Sequence, residues 1–252
     1  MLTPTRELPV DAALALLRDG ELTIEGQLVG ASNATFYCAV RADEVTASCV
    51  YKPAAGERSL WDFPDGTLAA REVAAYELSA VSGWAIVPPT VHRNGPLGPG
   101  MVQLWIDEDT GVDVLDLVRG AAASPLSQQL RRVAIFDAVV NNADRKGGHL
   151  LPTRGGHIYG VDHGLTFHTA PKLRTLLWQW AGAPLETDAV ALLSRLRDGL
   201  GGGRAGALGV RLGELLSPHE VRATARRVEA LLASGRYPMP MEGRPAIPWP
   251  PM

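Results

Sequence analysis

Four groups of polar residues follow one another along this chain in an order that phosphoryl transfer could use. That chemistry needs a backbone cradle for phosphates, a cation on them, ligands for a divalent ion, and a carboxylate beside the attacking hydroxyl. The small-residue turn Gly30-Ala31-Ser32-Asn33-Ala34 could be the cradle, with Ser32 or Asn33 adding a side-chain donor. Taken alone, it reads first as a plain hairpin connection. Lys52 ends an apolar strand, where it is either an exposed strand-end charge or a phosphate-binding cation. Glu72 and Glu77 on the following helix could orient that ammonium. Glu72, with Arg71 beside it, is the first choice, because Glu77 lies five residues on and points to a different face.

The third group is Asn141-Asn142-Ala143-Asp144-Arg145-Lys146-Gly147-Gly148-His149, between a buried helix and a hairpin. So many polar groups between apolar elements are costly unless solvated or functional; a loop with helix-ending asparagines is the plainer account. The fourth is Tyr159-Gly160-Val161-Asp162-His163-Gly164. An aspartate ending an apolar strand is placed to meet a metal ion. An isolated Asp-x-Gly is a commonplace turn, but one short hairpin after Asp144 it is more specific.

The elements that must carry these groups read as two regions. Residues 11–18 suit a short amphipathic helix, and strand-like runs follow at Leu22–Val29, Thr35–Arg41 and Thr46–Tyr51. The period changes for a helix over Leu68–Ser82, with Thr67 as N-cap and Gly83 closing it. Strands are expected from Ile86 to Val91 and from Gly100 to Ile106, so beyond its short first helix the first region, 1–106, is a small antiparallel sheet with one helix against it. Acidic Asp107, Glu108 and Asp109 mark the crossing into a second region, 107–252. It holds a buried helix over Ser127–Val140, a hairpin of Leu150-Leu151 with His157–Val161, and helices over Lys172–Trp180, Asp188–Asp198 and after Ser217. Ser217-Pro218-His219-Glu220 is a capping box with proline at the first helical position. Gly201–Gly203 reads as a flexible turn, and the proline-rich tail Tyr237–Met252 as an extended strap or a frayed end.

At 252 residues, 46% hydrophobic and 20% charged, the chain has ample core for one large or two small domains. A net charge of −3 gives no reason to expect nucleic acid as a partner. Cys38 and Cys49 fall in neighbouring strands and could pair across a sheet, although two buried reduced thiols are the preferred expectation. The N-terminus lacks the apolar core of a signal peptide, and no apolar run reaches the ~18 residues of a membrane span. A soluble cytoplasmic protein is expected.

Taken together, the motifs resemble those of the phosphatidylinositol 3-/4-kinase-like superfamily of atypical kinases, including actinobacterial members, and of the HipA-type kinases. Lys52-Pro53 with Gly56-Glu57 resembles their lysine strand. Glu72-Val73-Ala74-Ala75-Tyr76 followed by Ile86-Val87-Pro88-Pro89-Thr90 resembles their helix and next strand. Asp144-Arg145-Lys146 resembles the Asp-Arg-His of their catalytic loop, and Val161-Asp162-His163-Gly164 stands where their metal-binding Asp-Phe-Gly falls. Met101–Ile106 is similar to the strand leading to the adenine-contacting hinge, placing Gln103, Leu104 and Trp105 near the base. The likeness spans residues 22–180 and implies an α+β, two-lobed atypical-kinase fold: an antiparallel-sheet N-lobe and a mostly helical C-lobe.

That resemblance implies ATP and a divalent ion, Mg²⁺ or Mn²⁺, with Lys52 on the α/β-phosphates, Glu72 orienting it, Asp162 on the metal and Asp144 at the acceptor hydroxyl. Arg145 or Lys146 would neutralise charge on the γ-phosphoryl group. Two positions depart from the pattern. Lys146 replaces the usual histidine, and His149 stands where a metal-binding asparagine is usual. Imidazole suits Mn²⁺ or Zn²⁺ better than Mg²⁺, so His149 could hold a second ion, contact phosphate, or do neither. A protein, small-molecule or lipid acceptor all stay open, as does a peripheral membrane contact. The two departures motivate a second class, a catalytically impaired nucleotide-binding pseudokinase module. Metal-dependent hydrolysis by His149, His157, Asp162, His163 and His168 is a third option, which leaves Lys52 and Glu72 unexplained.

Overall fold

The computed structural model describes residues 8–30, 32–120, 124–201 and 206–251. Ala31, Gly202, Gly203 and the first seven residues, on which some of the expectations above fall, lie outside the described residues. The chain divides into two units, Met1–Val73 with Pro88–Trp105 and Ala74–Val87 with Ile106–Met252.

Alternation of apolar and polar residues builds the first unit. Strands β1 (Glu21–Gln27), β2 (Phe36–Ala42), β3 (Val45–Pro53), β4 (Thr90–Gly95) and β5 (Gly98–Leu104) form an antiparallel sheet in the order β1-β2-β3-β5-β4. Along β3, Ala47, Cys49 and Tyr51 are buried, and they pack with Val40, Val102 and the Leu16 and Leu17 side chains of helix α1 (Val10–Asp19). A strand's period of two therefore turns Lys52 to the opposite face from that core. Lys52 pairs in register with Met101 of β5. Cys38 and Cys49 stand opposite each other in the β2–β3 register, buried and not disulfide-bonded.

Helix α2 (Leu68–Ser82) begins in the first unit, and its remainder, from Ala74, belongs to the second. Its start differs from the expected hydroxyl cap. The Thr67 hydroxyl donates to the Pro64 carbonyl, while the Glu57 carboxylate, eleven residues upstream of Leu68, accepts the Leu68 and Ala69 N–H groups at 3.0 and 2.8 Å. A carboxylate serves there because it meets the positive end of the helix dipole. Gly83 ends the helix with φ +72°, as its position implied.

The expected strand from Ile86 does not begin until Thr90. Pro88 and Pro89 have no N–H to give a ladder. Ile86 and Val87 belong instead to the second unit, where the Val87 N–H donates to Ser79 Oγ and the Ile86 carbonyl accepts from the Gly160 N–H at 2.7 Å.

The second unit is built on α4 (Ser127–Val140), whose residues from Val133 to Val140 are all buried. It also holds α3 (Val114–Arg119), the hairpin β6 (Leu150–Pro152) and β7 (Ile158–Gly160), α5 (Thr187–Leu200), α6 (Ala207–Gly213) and α7 (Pro218–Ser234). The Ser217–Glu220 capping box forms as the sequence implies. Helix α3 was not anticipated, although Asp113 marks its start by accepting the Leu115 and Asp116 N–H groups. Residues 172–180 are irregular rather than helical. Their backbone is drawn into tertiary bonds: Lys172 N–H to Asn141 Oδ1, Arg174 N–H to Asn142 O, and Thr175 N–H to Ala246 O. The tail packs as a strap, its Pro251 carbonyl accepting from the Gly147 N–H at 2.8 Å.

Candidate active site

In the first unit, Lys52 Nζ lies 2.7 Å from Glu72 Oε1, with only 2% of the Glu72 side chain exposed. Burial costs an ionised carboxylate dearly unless a cation answers it, so the pair holds both chains in place. Glu77 is not the partner: it meets Arg211 at 2.8 Å in the second unit.

The turn after β1 is braced from beneath. Asn33 Oδ1 accepts the Arg58 N–H at 2.8 Å, and the Ala34 N–H donates to Gly56 O. Gly56 is required for that approach, since a Cβ there would fall 2.5 Å from the Ala34 Cβ. Gly30 has φ +91° with open space around it, and Ser32 is exposed.

The expected base-contacting residues are mostly committed elsewhere. The Gln103 amide is buried and donates to Thr90 Oγ1 at 2.8 Å. The Leu104 and Trp105 N–H groups donate to Pro89 O and Ser48 O, so neither is available to a base. The Trp105 ring remains 36% exposed, edge-on to Tyr37 at 5.0 Å.

The polar loop of the second unit starts where Asn141 takes a left-handed conformation (φ 56°, ψ 50°) and stops α4. Asn and Asp tolerate that region better than other side chains with a Cβ. Asn141 holds itself there by donating to His168 O and Ala170 O.

Arg145 departs from the expectation that it could face a phosphoryl group. It is wholly buried, paired with buried Asp137 through Nε and Nη2, and its Nη1 donates to His149 O and Val161 O. Its Nη2 also lies 2.6 Å from His163 Nε2. One guanidinium thus ties α4 to the backbone of both polar loops. The residue that sequence reasoning missed is Asp137. Its signal was there: a single acidic residue in the apolar run Val133–Val140. Asn142 donates to the same carboxylate.

Asp144 sits above this frame between two cations, Lys146 Nζ at 3.1 Å and Arg174 Nη2 at 3.6 Å. Arg174 also went unnoticed in the sequence; it is placed by the irregular 172–180 segment, with Nε donating to Ala143 O.

Asp162 adopts φ +59°, a left-handed conformation that costs a non-glycine residue energy, and leaves its side chain 47% exposed. His149 Nε2 lies 3.3 Å from its Oδ2. Burial pushes the His149 imidazole below its usual pKa, against the opposing pull of Asp162, so the ring is neutral near pH 7. Its Nδ1 accepts the Lys146 N–H at 3.4 Å, which leaves the proton on Nε2, aimed at Asp162. In this tautomer His149 orients Asp162. Binding a cation through Nε2 would require the proton to move to Nδ1 and the Lys146 N–H bond to break.

The other histidines are not gathered round these two. His157 Nε2 contacts Ala85 O, His163 lies under Arg145, and His168 Nδ1 accepts the Ala170 N–H. Among the described residues, no three His, Cys, Asp or Glu side chains group as a metal ion would need. A divalent ion at Asp162 would therefore take further oxygen ligands from a bound nucleotide, which is how Mg²⁺ is commonly held. The metal-dependent hydrolase option loses its ligand cluster.

No family model matches the sequence. The structure is similar to the crystal structure of the Helicobacter pylori proinflammatory kinase CtkA, with a TM-score of 0.52, 11% sequence identity, and coverage of 88% of this chain and 94% of that one. The α+β architecture of a small antiparallel sheet and a set of helices is thus a kinase-like fold, a likeness of fold alone. In sequence the chain is 44% identical over 266 aligned residues to Protein Rv2133c of Mycobacterium tuberculosis, covering 94% of each, and it belongs to the same family as that protein.

Proposed function

We propose that this protein is an ATP-dependent phosphotransferase of the phosphatidylinositol 3-/4-kinase-like type, transferring the γ-phosphoryl group of ATP to a hydroxyl of a protein, small molecule or lipid. The observation that carries the proposal is the Lys52–Glu72 pair, in a fold of kinase type. A strand-end lysine held by a nearly buried glutamate is oriented before ligand arrives, as a phosphate clamp must be.

Lys52 meets the α/β-phosphates, and Gly30, Ser32 and Asn33 supply the covering turn. Asp162, oriented by His149, would hold the divalent ion, which neutralises charge on the phosphates. The acceptor oxygen attacks the γ-phosphorus, the bond to the β–γ bridging oxygen breaks, and ADP leaves. Asp144 positions the acceptor hydroxyl and takes its proton. Lys146 is the cation for developing charge, since Arg145 is consumed in holding the loop.

One observation favours a second function, nucleotide binding with impaired transfer: the Asp144 carboxylate is already engaged by Lys146 Nζ at 3.1 Å and Arg174 Nη2 at 3.6 Å. The two are separated by measuring ADP formation and ATP-dependent thermal stabilisation with Mg²⁺ or Mn²⁺, for the native chain and for Asp144→Ala. Transfer predicts that the variant keeps the stabilisation while ADP formation falls by about 10²–10⁴-fold. Stabilisation of the native chain with no ADP formed leaves the binding module. A variant as active as the native chain removes Asp144 from the chemistry.

A further inference from the structure

The second unit holds a cavity of about 620 Å³ between α4, α7 and the start of the tail strap. This is within the ~300–1,000 Å³ range of small-molecule pockets. Its walls are mainly apolar, from Ala138, Leu173, Trp178, Leu231 and Met239 among others. Its charged lining residues are Arg226, Arg227 and Arg236, and none is acidic.

None of the three guanidiniums forms an ion pair among the described residues. Arg227 spends its donors on neutral groups, Val139 O, His168 O and Thr224 Oγ1. Burial, and then the neighbouring Arg226, push Arg227 down to about 10, against the opposing pull of Glu220. Arg236 donates to Gly182 O. Arg226 is exposed and makes no hydrogen bond or ion pair among the described residues. Of the nearby carboxylates, Glu186 meets Arg131 and the Tyr237 hydroxyl and Glu220 meets Ser217, while Glu229, exposed and three residues after Arg226 on α7, forms no ion pair with it. An apolar chamber whose only charged lining residues are three arginines held in no ion pair is complementary to a molecule with an apolar body and one anionic end. Met239 and Met241, 66% and 45% exposed, give the tail side of the chamber side chains that adapt to such a body.

We propose that this cavity binds an anionic amphiphile, a long-chain carboxylate or phosphate monoester, with its chain among the apolar walls and its head on Arg226. The site also abuts the polar loop. Asn141 lines the cavity and holds His168 O and Ala170 O, and Arg227 holds His168 O from the other side. The proposal does not rest on phosphotransfer, and its test needs no ATP.

Isothermal titration calorimetry of the full chain would use myristate and monododecyl phosphate below their aggregation concentrations, with 1-tetradecanol as the uncharged control. Saturable 1:1 binding of at least one anion is expected, with the alcohol at least tenfold weaker. Shortening the chain by two methylenes should weaken binding about tenfold. Arg226→Glu should weaken it at least tenfold, and Ala230→Trp, which fills the chamber from an exposed position on α7, should abolish it, both with unchanged circular dichroism. Whichever anion binds more tightly identifies the head group. The proposal is overturned if neither anion binds saturably, if the alcohol binds as well as the anions, or if Ala230→Trp binds like the native chain.

Discussion

Asp137 is a full negative charge inside α4, and Arg145, Asn142 and Thr175 all reach it. The pair it makes with Arg145 is wholly desolvated, so its two halves depend on each other. Asp137→Ala should strand the guanidinium and lower stability by about 3–5 kcal/mol, read from urea unfolding. Asp137→Asn, which keeps two polar atoms, should cost less. Equal and small losses for both would mean the pair does not hold the loop. At this scale the sequence was partly legible. Lys52, Asp144 and Asp162 stood out because each ends or follows an apolar element, where a charge has to be explained. Asp137 and Arg174 did not, since each lies outside the polar group that it braces, and Glu57, although quoted with the lysine strand, gave no sign of capping a helix eleven residues on. Arg145 was misjudged for a related reason: adjacency to Asp144 says nothing about which way a side chain turns, and it turns to brace the loops, while His149, left open between ion, phosphate and neither, turns to Asp162.

Among the elements, β2 and β3 set Cys38 and Cys49 face to face in the core of the first unit. Burial pushes the Cys38 thiol up to about 11 and the Cys49 thiol up to about 12, each from 9.0. In the folded protein both stay protonated at pH 8. Iodoacetamide should therefore modify them only as fast as the chain opens, and at once in denaturant, as mass spectrometry would show; rapid modification of folded protein at pH 8 would contradict the packing. The unfolded chain loses those protons near pH 9.0 while the folded one keeps them, so stability should also fall as pH rises from about 9 toward 12. Helices α2 and α4, long and buried along most of their length, were legible to their last residues. The segment 172–180 was not, because its helical spacing competes with backbone bonds to Asn141, Asn142 and Ala246. Propensity is a weak prior where tertiary partners are waiting. Proline explains the misplaced start of β4.

For the chain as a whole, among the described residues no helix is long and apolar enough to cross a membrane. The tail contributes to the second unit through main-chain acceptors: Ala246 O takes the Thr175 N–H and the Trp178 indole N–H, and Pro251 O takes the Gly147 N–H. Removing residues 243–252 leaves those donors without partners, at about 1–3 kcal/mol for each that stays buried. The shortened chain should melt earlier, and hydrogen exchange should rise at residues 145–148 and 174–178; unchanged exchange there would show that the strap is dispensable. The central claim of the proposed function is that Lys52 clamps the phosphates of bound ATP. An acyl-phosphate derivative of ATP, which transfers its acyl group to a lysine beside the bound phosphates, tests it most directly, with Lys172 as the internal control. With Mg²⁺ or Mn²⁺ present, Lys52 should be acylated in preference to Lys172, and excess ATP should block the reaction. Acylation of Lys52 that excess ATP leaves unchanged, or that spares Lys52 altogether, would contradict the account.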